Sequence, residues 1–444
     1  MPNDPAPTVS GWGRIALPGR EDFSEDLVKL SEDAVLSRGL GRAYGDSACP
    51  PASDPRVATT TLADRILSFD EETGILRAEA GLSLFELKRF FLPRHWFTPV
   101  TPGTQFVTLG GAVAADVHGK NHHVEGCFGE HVTKLLMRVA DGRILECGPD
   151  EEPELFWATV GGMGLTGHIL EVEFRMQRVA SAWIEGESFR VPNIDSFIDH
   201  LKEAAAEWPM TMGWIDCLSK GSKLGRGILY RGRWAKPSDA PNKPPAPKKR
   251  VSIPFEFPSW LLNKLTVAAF NELLYRSHIP ERKASIQHPD QFFYPLDKIL
   301  HWNKMYGKRG FTQYQCVLPD SAGRGAARRF LEYLTELGGA SSFLCVIKDC
   351  GPENKGMLSF PMRGISIALD LSVDDGTKQL VDDLNRLVIE MGGRIYLAKD
   401  NFTSAADYRA MEPRLDKWLA VRDKWDPERR IRSAQSVRIL GDPE

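Results

Sequence analysis

Ser37-Arg38-Gly39-Leu40-Gly41-Arg42-Ala43-Tyr44-Gly45-Asp46-Ser47 follows a short β-like run, Val35–Ser37. Glycines 39, 41 and 45 carry no Cβ, so the backbone N–H groups around them can approach a phosphate closely. A nicotinamide-type Rossmann loop would place the third glycine one residue earlier, run into a helix and carry an acidic residue about 20 positions on. Here Asp46-Ser47-Ala48-Cys49-Pro50-Pro51 begins no helix. The stretch predicts a dinucleotide loop on a different fold.

Two further glycine clusters extend that reading. Pro99–Thr104 leads into Thr108-Leu-Gly-Gly-Ala-Val-Ala-Ala-Asp-Val-His-Gly-Lys-Asn-His-His123. Its small side chains let a large planar ligand lie against the backbone. His118, Lys120, His122 and His123 then arrive together, where a His/Lys pair can tune a ligand or bind a substrate oxygen. Three histidines so close also raise a metal site, but no carboxylate pattern accompanies them, so no metal is expected. The third cluster, Leu155–Val172 (LFWATVGGMGLTGHILEV), reads as a helix, a glycine turn and a strand. It predicts a second wall around the same ligand.

The chain has 444 residues, 42% apolar and 26% charged, with 56 Lys plus Arg against 59 Asp plus Glu, a net charge of −3. These are globular values, and the length exceeds one ordinary core, so two domains are expected. A near-neutral balance argues against a dedicated nucleic-acid binder. No apolar run reaches the roughly 20 residues of a membrane span, and the N-terminus has no leader pattern. The seven cysteines form no CxxC pair, which predicts reduced thiols in a cytoplasmic protein.

Strands are predicted at Val35–Ser37, Ile75–Ala78, Leu135–Ala140 and His168–Phe174, and helices at Leu82–Phe91 and Glu154–Thr159. After Ser181 glycine thins and aromatic residues increase. Thr312–Leu318, Phe343–Lys348 and Ile365–Leu371 alternate like strands whose polar face can line a cavity. Lys378–Glu390 and Asp416–Lys424 read as amphipathic helices. The Pro-rich, basic stretch 237–250 predicts a mobile loop. Ile253, Phe255, Phe257, Trp260, Leu261, Leu262 and Leu265 follow it. That stretch is either a lid packed on its own domain or a membrane-touching flap.

The three clusters, in this order, resemble the FAD-binding domain of the vanillyl-alcohol oxidase type (FAD-binding PCMH-type). RGLGRAYGD, GGAVAADVHGKNHH, GCFGEHV, ELFWATVGGMGLTG, FTQYQ and GGRIYLAKD further resemble the decaprenylphosphoryl-β-D-ribose 2′-oxidase family, from about Trp12 to Leu440. The resemblance implies an α+β, two-domain flavoprotein. Its FAD domain would be discontinuous, 1–181 plus 394–444. A substrate domain, an antiparallel sheet covered by helices, would fill 182–393. FAD would be held by Ser37, Arg38, Gly39, Leu40, Gly41, Arg42, Ala43, Tyr44, Gly45, Asp46 and Ser47. Gly103, Thr108, Leu109, Gly110, Gly111, Ala115, Asp116, Val117, His118, Ile169 and Tyr396 would complete its site. Related oxidases often attach flavin through a histidine in the first loop; Arg42 stands there, so non-covalent FAD is expected.

The resemblance also implies a substrate site of Lys120, Trp214, Phe293, Gln313, Gln315, Lys348, Ser366 and Lys399. There the 2′-hydroxyl of a polyprenylphosphoryl ribose would be oxidised to a ketone, with hydride passing to flavin N5. Lys399 would be the base, with His118 and Gln315 assisting, and Lys120 and Lys348 would meet the phosphate. Read without the resemblance, Lys399 is equally a salt-bridge lysine beside Asp400, Gln313 and Gln315 are solvent-facing, and Tyr44 and Trp214 are core aromatics. Two departures stand out: Ala368 where many members carry cysteine, and Ser366 where asparagine is common.

An NAD(P)H-dependent keto-reductase partner would complete an epimerisation that supplies cell-wall arabinan. Reduced flavin would be reoxidised by oxygen or a membrane quinone. The polyprenyl tail implies peripheral contact with the inner membrane, and export by another route stays open. Two alternatives remain: an alditol or aldonolactone oxidase producing hydrogen peroxide, and a non-catalytic flavin- or lipid-binding partner. An exposed aromatic lid at 250–280 would favour the lipid substrate.

Overall fold

The computed structural model describes residues 7–278, 283–338 and 342–444. The first six residues, on which the reading of the N-terminus partly rests, lie outside the described residues. The fold is α+β. Three short strands, β1 (Arg20–Phe23), β2 (Ser37–Arg38) and β3 (Arg56–Thr59), form a parallel sheet in the order β1-β3-β2. β2 starts two residues later than expected, because Val35 and Leu36 pack with Val57 in a small separate core.

Next comes a five-stranded antiparallel sheet. It contains β4 (Ile66–Phe69), β5 (Ile75–Glu79), β6 (Val132–Arg138), β7 (Ile144–Cys147) and β8 (His168–Arg175), ordered β7-β6-β8-β5-β4. The run expected at Leu135–Ala140 begins earlier and stops at Arg138, because Gly142 turns the chain at φ +89°. Helix α1 (Leu84–Phe91) starts where Ser83 accepts the N–H of Glu86, and it buries Leu84, Leu87 and Phe91. Helices α2 (Leu109–Ala114) and α3 (Pro153–Thr159) carry the second and third glycine clusters.

The second half is one eight-stranded antiparallel sheet. Its strands are β9 (Ile184–Val191), β10 (Met210–Ile215), β11 (Gly227–Trp234), β12 (Lys283–Gln287), β13 (Phe311–Pro319), β14 (Cys345–Cys350), β15 (Gly364–Ser372) and β16 (Arg394–Ile395). The order is β12-β9-β11-β10-β14-β15-β13-β16. β14 begins two residues later than the run expected at Phe343–Lys348. Period-two alternation gives this sheet two jobs. Ile365, Ile367, Leu369 and Leu371 enter the core. Tyr314, from the neighbouring strand, donates its hydroxyl to Asn385 at 3.0 Å. Gln313, Gln315, Lys348 and Ala368 turn to the opposite face and line a cavity.

The longer helices of the second half are α4 (Ile194–Glu207), α5 (Lys264–Ser277), α6 (Ala326–Glu336) and α7 (Thr377–Glu390). The apolar stripes of α4, α6 and α7 are buried, for example Phe197, Leu201, Phe330, Leu334, Leu384 and Val388. The stretch 237–250 forms no helix or strand, but it is tied at two points. Trp183 donates to the carbonyl of Lys243 at 2.9 Å, and His288 Nε2 meets that of Ala246 at 2.8 Å. All seven cysteines are buried, and none among the described residues forms a disulfide.

The chain's last segment, α8 (Leu415–Trp425) and α9 (Ala434–Leu440), folds back on the first half. Trp418 donates to the carbonyl of Ala158 in α3 at 2.8 Å. Arg422 is wholly buried, donates to the carbonyls of Leu165 and Ile431, and pairs with Asp442 at 2.6 Å. It therefore fixes the third glycine turn. Arg422→Met leaves the buried Asp442 with only Arg429 at 3.6 Å, and we expect urea denaturation to show a loss of about 3–5 kcal/mol.

Candidate active site

The three glycine clusters and the chain's return segment meet around one cavity, with an empty volume of about 2000 Å³ counting the solvent at its mouth. The first loop crosses it in a tight path. Gly41 sits at φ +61°, and a Cβ on Gly39 would lie 2.2 Å from Thr108 Oγ1. Thr108 is not free to yield, because its hydroxyl caps α2 by accepting the N–H of Gly111. Gly45 packs harder still: a Cβ there would lie 1.8 Å from the carbonyl oxygen of Asp400. Tyr44 N donates to the carbonyl of Ala398 at 2.8 Å, tying the loop to Tyr396–Lys399.

The second cluster supplies a wall of Gly110, Gly111, Ala114 and Ala115, and the third adds Met163, Gly164, Gly167 and Ile169. Tyr396 closes the slot, donating its hydroxyl to the carbonyl of Ala115 at 2.8 Å. Walls of bare backbone and methyl groups suit a flat polycyclic group, and the glycine loop suits a pyrophosphate. FAD fits this cradle.

Two buried nitrogens on the wall have no partner: His118 Nδ1 and Arg42 Nε. Gln315 donates to His118 Nε2 at 3.0 Å, which puts the imidazole proton on Nδ1. His118 therefore offers a lone donor at the cavity. Burial, reinforced by Lys348, holds its pKa well below the usual histidine value, so the ring is neutral. Arg42 stacks 4.0 Å from the Trp12 ring centroid and 5.0 Å from that of Phe106.

The far end of the cavity is lined by Lys120, Lys348 and Lys399, with Phe293, Gln313 and Gln315. Among the described residues, no carboxylate forms an ion pair with any of the three lysines. Lys120 donates to the carbonyl of Phe293 at 2.9 Å, and Lys399 Nζ lies 3.7 Å from the Tyr44 ring centroid. Burial pushes Lys399 down to about 7, with Lys348 adding to the fall and Asp370 opposing it. Lys120 falls to about 7 and Lys348 is lowered too, both mainly by burial.

Several expected site residues do not line the cavity. Gly45 packs behind the loop on Asp400, and Asp46 pairs with Arg438 at 2.8 Å. Leu109 enters the core, and Asp116 bonds the Gly129 N–H and the Ser359 hydroxyl. Trp214 donates to the carbonyl of Phe343, as a packed aromatic does. Ser366 sits behind Gln315 and accepts its amide at 3.3 Å. Asp400, the salt-bridge alternative for Lys399, binds Arg438 instead. The three histidines diverge: His122 accepts the Gly351 N–H and meets Asn354, while His123 meets the carbonyl of Trp208. Among the described residues, no group of three His, Cys, Asp or Glu converges on a metal position.

The sequence reading missed Asp370 and Asp297. Asp370 is fully buried and accepts from Gln313 Nε2 at 2.6 Å and the Tyr306 hydroxyl at 2.7 Å. Burial raises its pKa to about 6. Its place one alternation step beyond Ala368 on the same strand face was the available signal. Asp297 lines the cavity and accepts both the backbone and side-chain N–H of Gln105. Nothing in its local sequence marks it.

Residues 15–148 match the family model described as an FAD binding domain. The chain is 36% identical to decaprenylphosphoryl-β-D-ribose oxidase of Mycolicibacterium smegmatis, with 97% of each chain covered. It is 30% identical to an uncharacterised Streptomyces coelicolor protein from the mprA 5′ region, covering 81% of this chain and all of that one. Similarity to L-gulono-1,4-lactone dehydrogenase of Mycobacterium tuberculosis is 20% over 99% of this chain and 98% of the relative. The cofactor is FAD. With Arg42 held between two rings and no histidine in the first loop, acid precipitation of the yellow protein should release all its flavin into the supernatant. Flavin colour retained in the pellet would show a covalent link.

Proposed function

The chain belongs to the decaprenylphosphoryl-β-D-ribose oxidase family of FAD-dependent oxidoreductases, and from that premise we propose that it oxidises the 2′-hydroxyl of a polyprenylphosphoryl-β-D-ribose to the 2′-ketone. The observation that carries this reading is the group of three buried lysines, without ion-paired carboxylates, at the end of a flavin-shaped slot. Two of them, Lys120 and Lys348, favour an anionic ligand when protonated, and a sugar phosphodiester is one. An uncharged alditol or lactone would leave that charge uncompensated.

The glycine walls, with Gly110, Gly111 and Tyr396, would hold FAD, which when bound would supply the two-electron acceptor for the hydride that C2′ loses as its hydroxyl becomes a carbonyl. The chain's residues do the rest. Neutral Lys399 takes the hydroxyl proton, helped by its lowered pKa. Tyr44 holds the amine by its ring face, and Gln313 links Asp370 to the same wall. Lys120 and Lys348 bind the phosphate. Gln315 fixes the tautomer of His118, whose buried Nδ1–H is left without a partner in the protein. Orienting the C–H bond is the main contribution of this cage.

The ketone is half of an inversion. A separate NAD(P)H-dependent reductase completes the epimerisation to the arabinose lipid used in cell-wall arabinan. A polyprenyl tail lies in a bilayer, so the enzyme works as a peripheral protein at a membrane surface. Among the described residues, no helix is long and apolar enough to cross one.

Anaerobic mixing provides the test of substrate. Polyprenylphosphoryl ribose should bleach the flavin in one turnover, while xylitol and L-gulono-1,4-lactone should not. Bleaching by either small molecule alone would replace this reading with the soluble-oxidase alternative. Lys399→Ala should cut the bleaching rate ~100- to 10,000-fold with the flavin still bound. A non-catalytic binding protein would show no bleaching to lose.

The pH profile provides a second test. The neutral amine is the active form, so kcat/KM should rise with pH through about 7 and then level. Lys348→Met removes a neighbouring positive charge, which favours protonated Lys399 and should move that limb to higher pH. Asp370→Asn removes a charge that favours the protonated form and should move it lower. Limbs unmoved in both variants would remove Lys399 from the role of base.

A further inference from the structure

The segment Lys248–Ser277 (KKRVSIPFEFPSWLLNKLTVAAFNELLYRS) faces two ways. Inward, Leu262 packs on the ring cluster of Tyr44, Trp302, Tyr306 and Phe311, and Trp302 itself lines the cavity. Val267 and Asn271 are buried, Asn271 donating to Asp216 at 2.8 Å, and Phe270 sets its ring edge-on to Phe343 at 5.8 Å. Asn263 caps α5 and closes a capping box with Thr266. The helix is therefore anchored.

Outward, large apolar side chains meet water. Val251 is 69% exposed, Phe255 63%, Trp260 70%, Leu265 82% and Leu273 71%. Leu265, Ala269 and Leu273 fall at i, i+4 and i+8, so they form one stripe on the outer side of α5. A contiguous apolar surface on a well-anchored helix marks an interaction site rather than loose packing.

The charges beside it identify the occupant. Lys248, Lys249, Arg250 and Lys298 line one recess with two carboxylates that are committed elsewhere, Asp290 to Lys88 and Asp297 to Gln105, while Arg250 packs on the rings of Phe85 and Phe106; next to it Val251 is in register with Ile299 across a short parallel bridge. Among the described residues these four cations form no ion pair. The two acids of the segment are already engaged, Glu256 with Arg14 and Glu272 with Arg226 and Arg276. The face is thus apolar and cationic. Two copies laid face to face would oppose their basic clusters, whereas an anionic bilayer accepts both features.

We propose that Val251, Phe255, Trp260 and the Leu265–Leu273 stripe of α5 insert into the interfacial region of an anionic lipid bilayer. Lys248, Lys249, Arg250 and Lys298 meet its headgroups. The inward side of the same segment packs, through Leu262, on the ring cluster whose Trp302 lines the cavity, so a lipid-borne sugar leaving the bilayer there arrives beside the cavity wall. This deepens the sugar-lipid reading above and rests on it for the identity of the cargo.

Flotation of the full-length, FAD-loaded protein tests it, with phosphatidylcholine vesicles against vesicles that also hold phosphatidylglycerol. Wild type should float with the anionic vesicles and release at high salt. Leu265→Asp/Leu273→Asp should lower the bound fraction at least about tenfold, with flavin absorbance and thermal unfolding unchanged. Lys248→Glu/Lys249→Glu should lose the preference for anionic lipid. The proposal falls if wild type floats with neither vesicle, or if the double aspartate variant floats like wild type. It also falls if sedimentation shows a dimer that the aspartates dissociate, since a second copy would then own the face. Flavin bleaching by the lipid substrate in detergent micelles is read in parallel. Bleaching without flotation overturns the surface alone, and flotation without bleaching overturns the substrate alone.

Discussion

Arg438 holds the active site together. Its guanidinium takes Asp46 from the first glycine loop through two hydrogen bonds, at 2.9 and 2.8 Å, and Asp400 through a third at 2.9 Å. It also donates to the carbonyl of Thr403. One partly buried cation thus clamps two carboxylates that lie hundreds of residues apart in the chain. The clamp seats Gly45 against Asp400 and aligns Tyr44 N with the carbonyl of Ala398. The pyrophosphate loop and the lysine wall are consequently one rigid unit, and Lys399 comes to rest on the face of Tyr44.

The same clamp explains why the cavity lysines stay alone. Asp400, the carboxylate next to Lys399 in sequence, is occupied by Arg438. Asp370 is held by Gln313 and Tyr306, facing Lys399 only across a distance. Each acid that could have neutralised a cavity amine is committed elsewhere. The fold therefore carries a local violation of polar pairing, of the kind folds tolerate where a ligand completes the balance. Depressed lysine pKa values are the outcome, and they suit the role of base proposed for Lys399.

Much of this was legible in the sequence, for definable reasons. Glycine clusters and period-two strands are local signals, so residue order alone places the three walls and the polar face with Gln313, Gln315 and Lys348. Residues whose work depends on distant partners carry no such signal. Asp46 reads as part of the phosphate loop because it ends the motif, yet its partner is Arg438. Leu109 and Asp116 sit inside a ligand-lining run but alternate into the core. Asp297 comes from a segment with no motif and reaches the cavity only because Gln105 anchors it. The flap at 248–277 shows the limit most clearly. Of the two readings of its sequence, a packed lid and a membrane-touching flap, the packing of Leu262 and Val267 supports the first on one side, while the other side leaves large apolar side chains exposed.

The two departures from the family pattern act at different depths, which strand register decides. Ala368 stands opposite Gln315 and faces the cavity, so the wall carries a methyl group at that point. Ser366 stands two residues back, opposite Lys348 and behind Gln315. Its hydroxyl reaches the ligand only through the Gln315 amide, which in turn sets the tautomer of His118. A change at 366 is therefore transmitted as orientation rather than as contact.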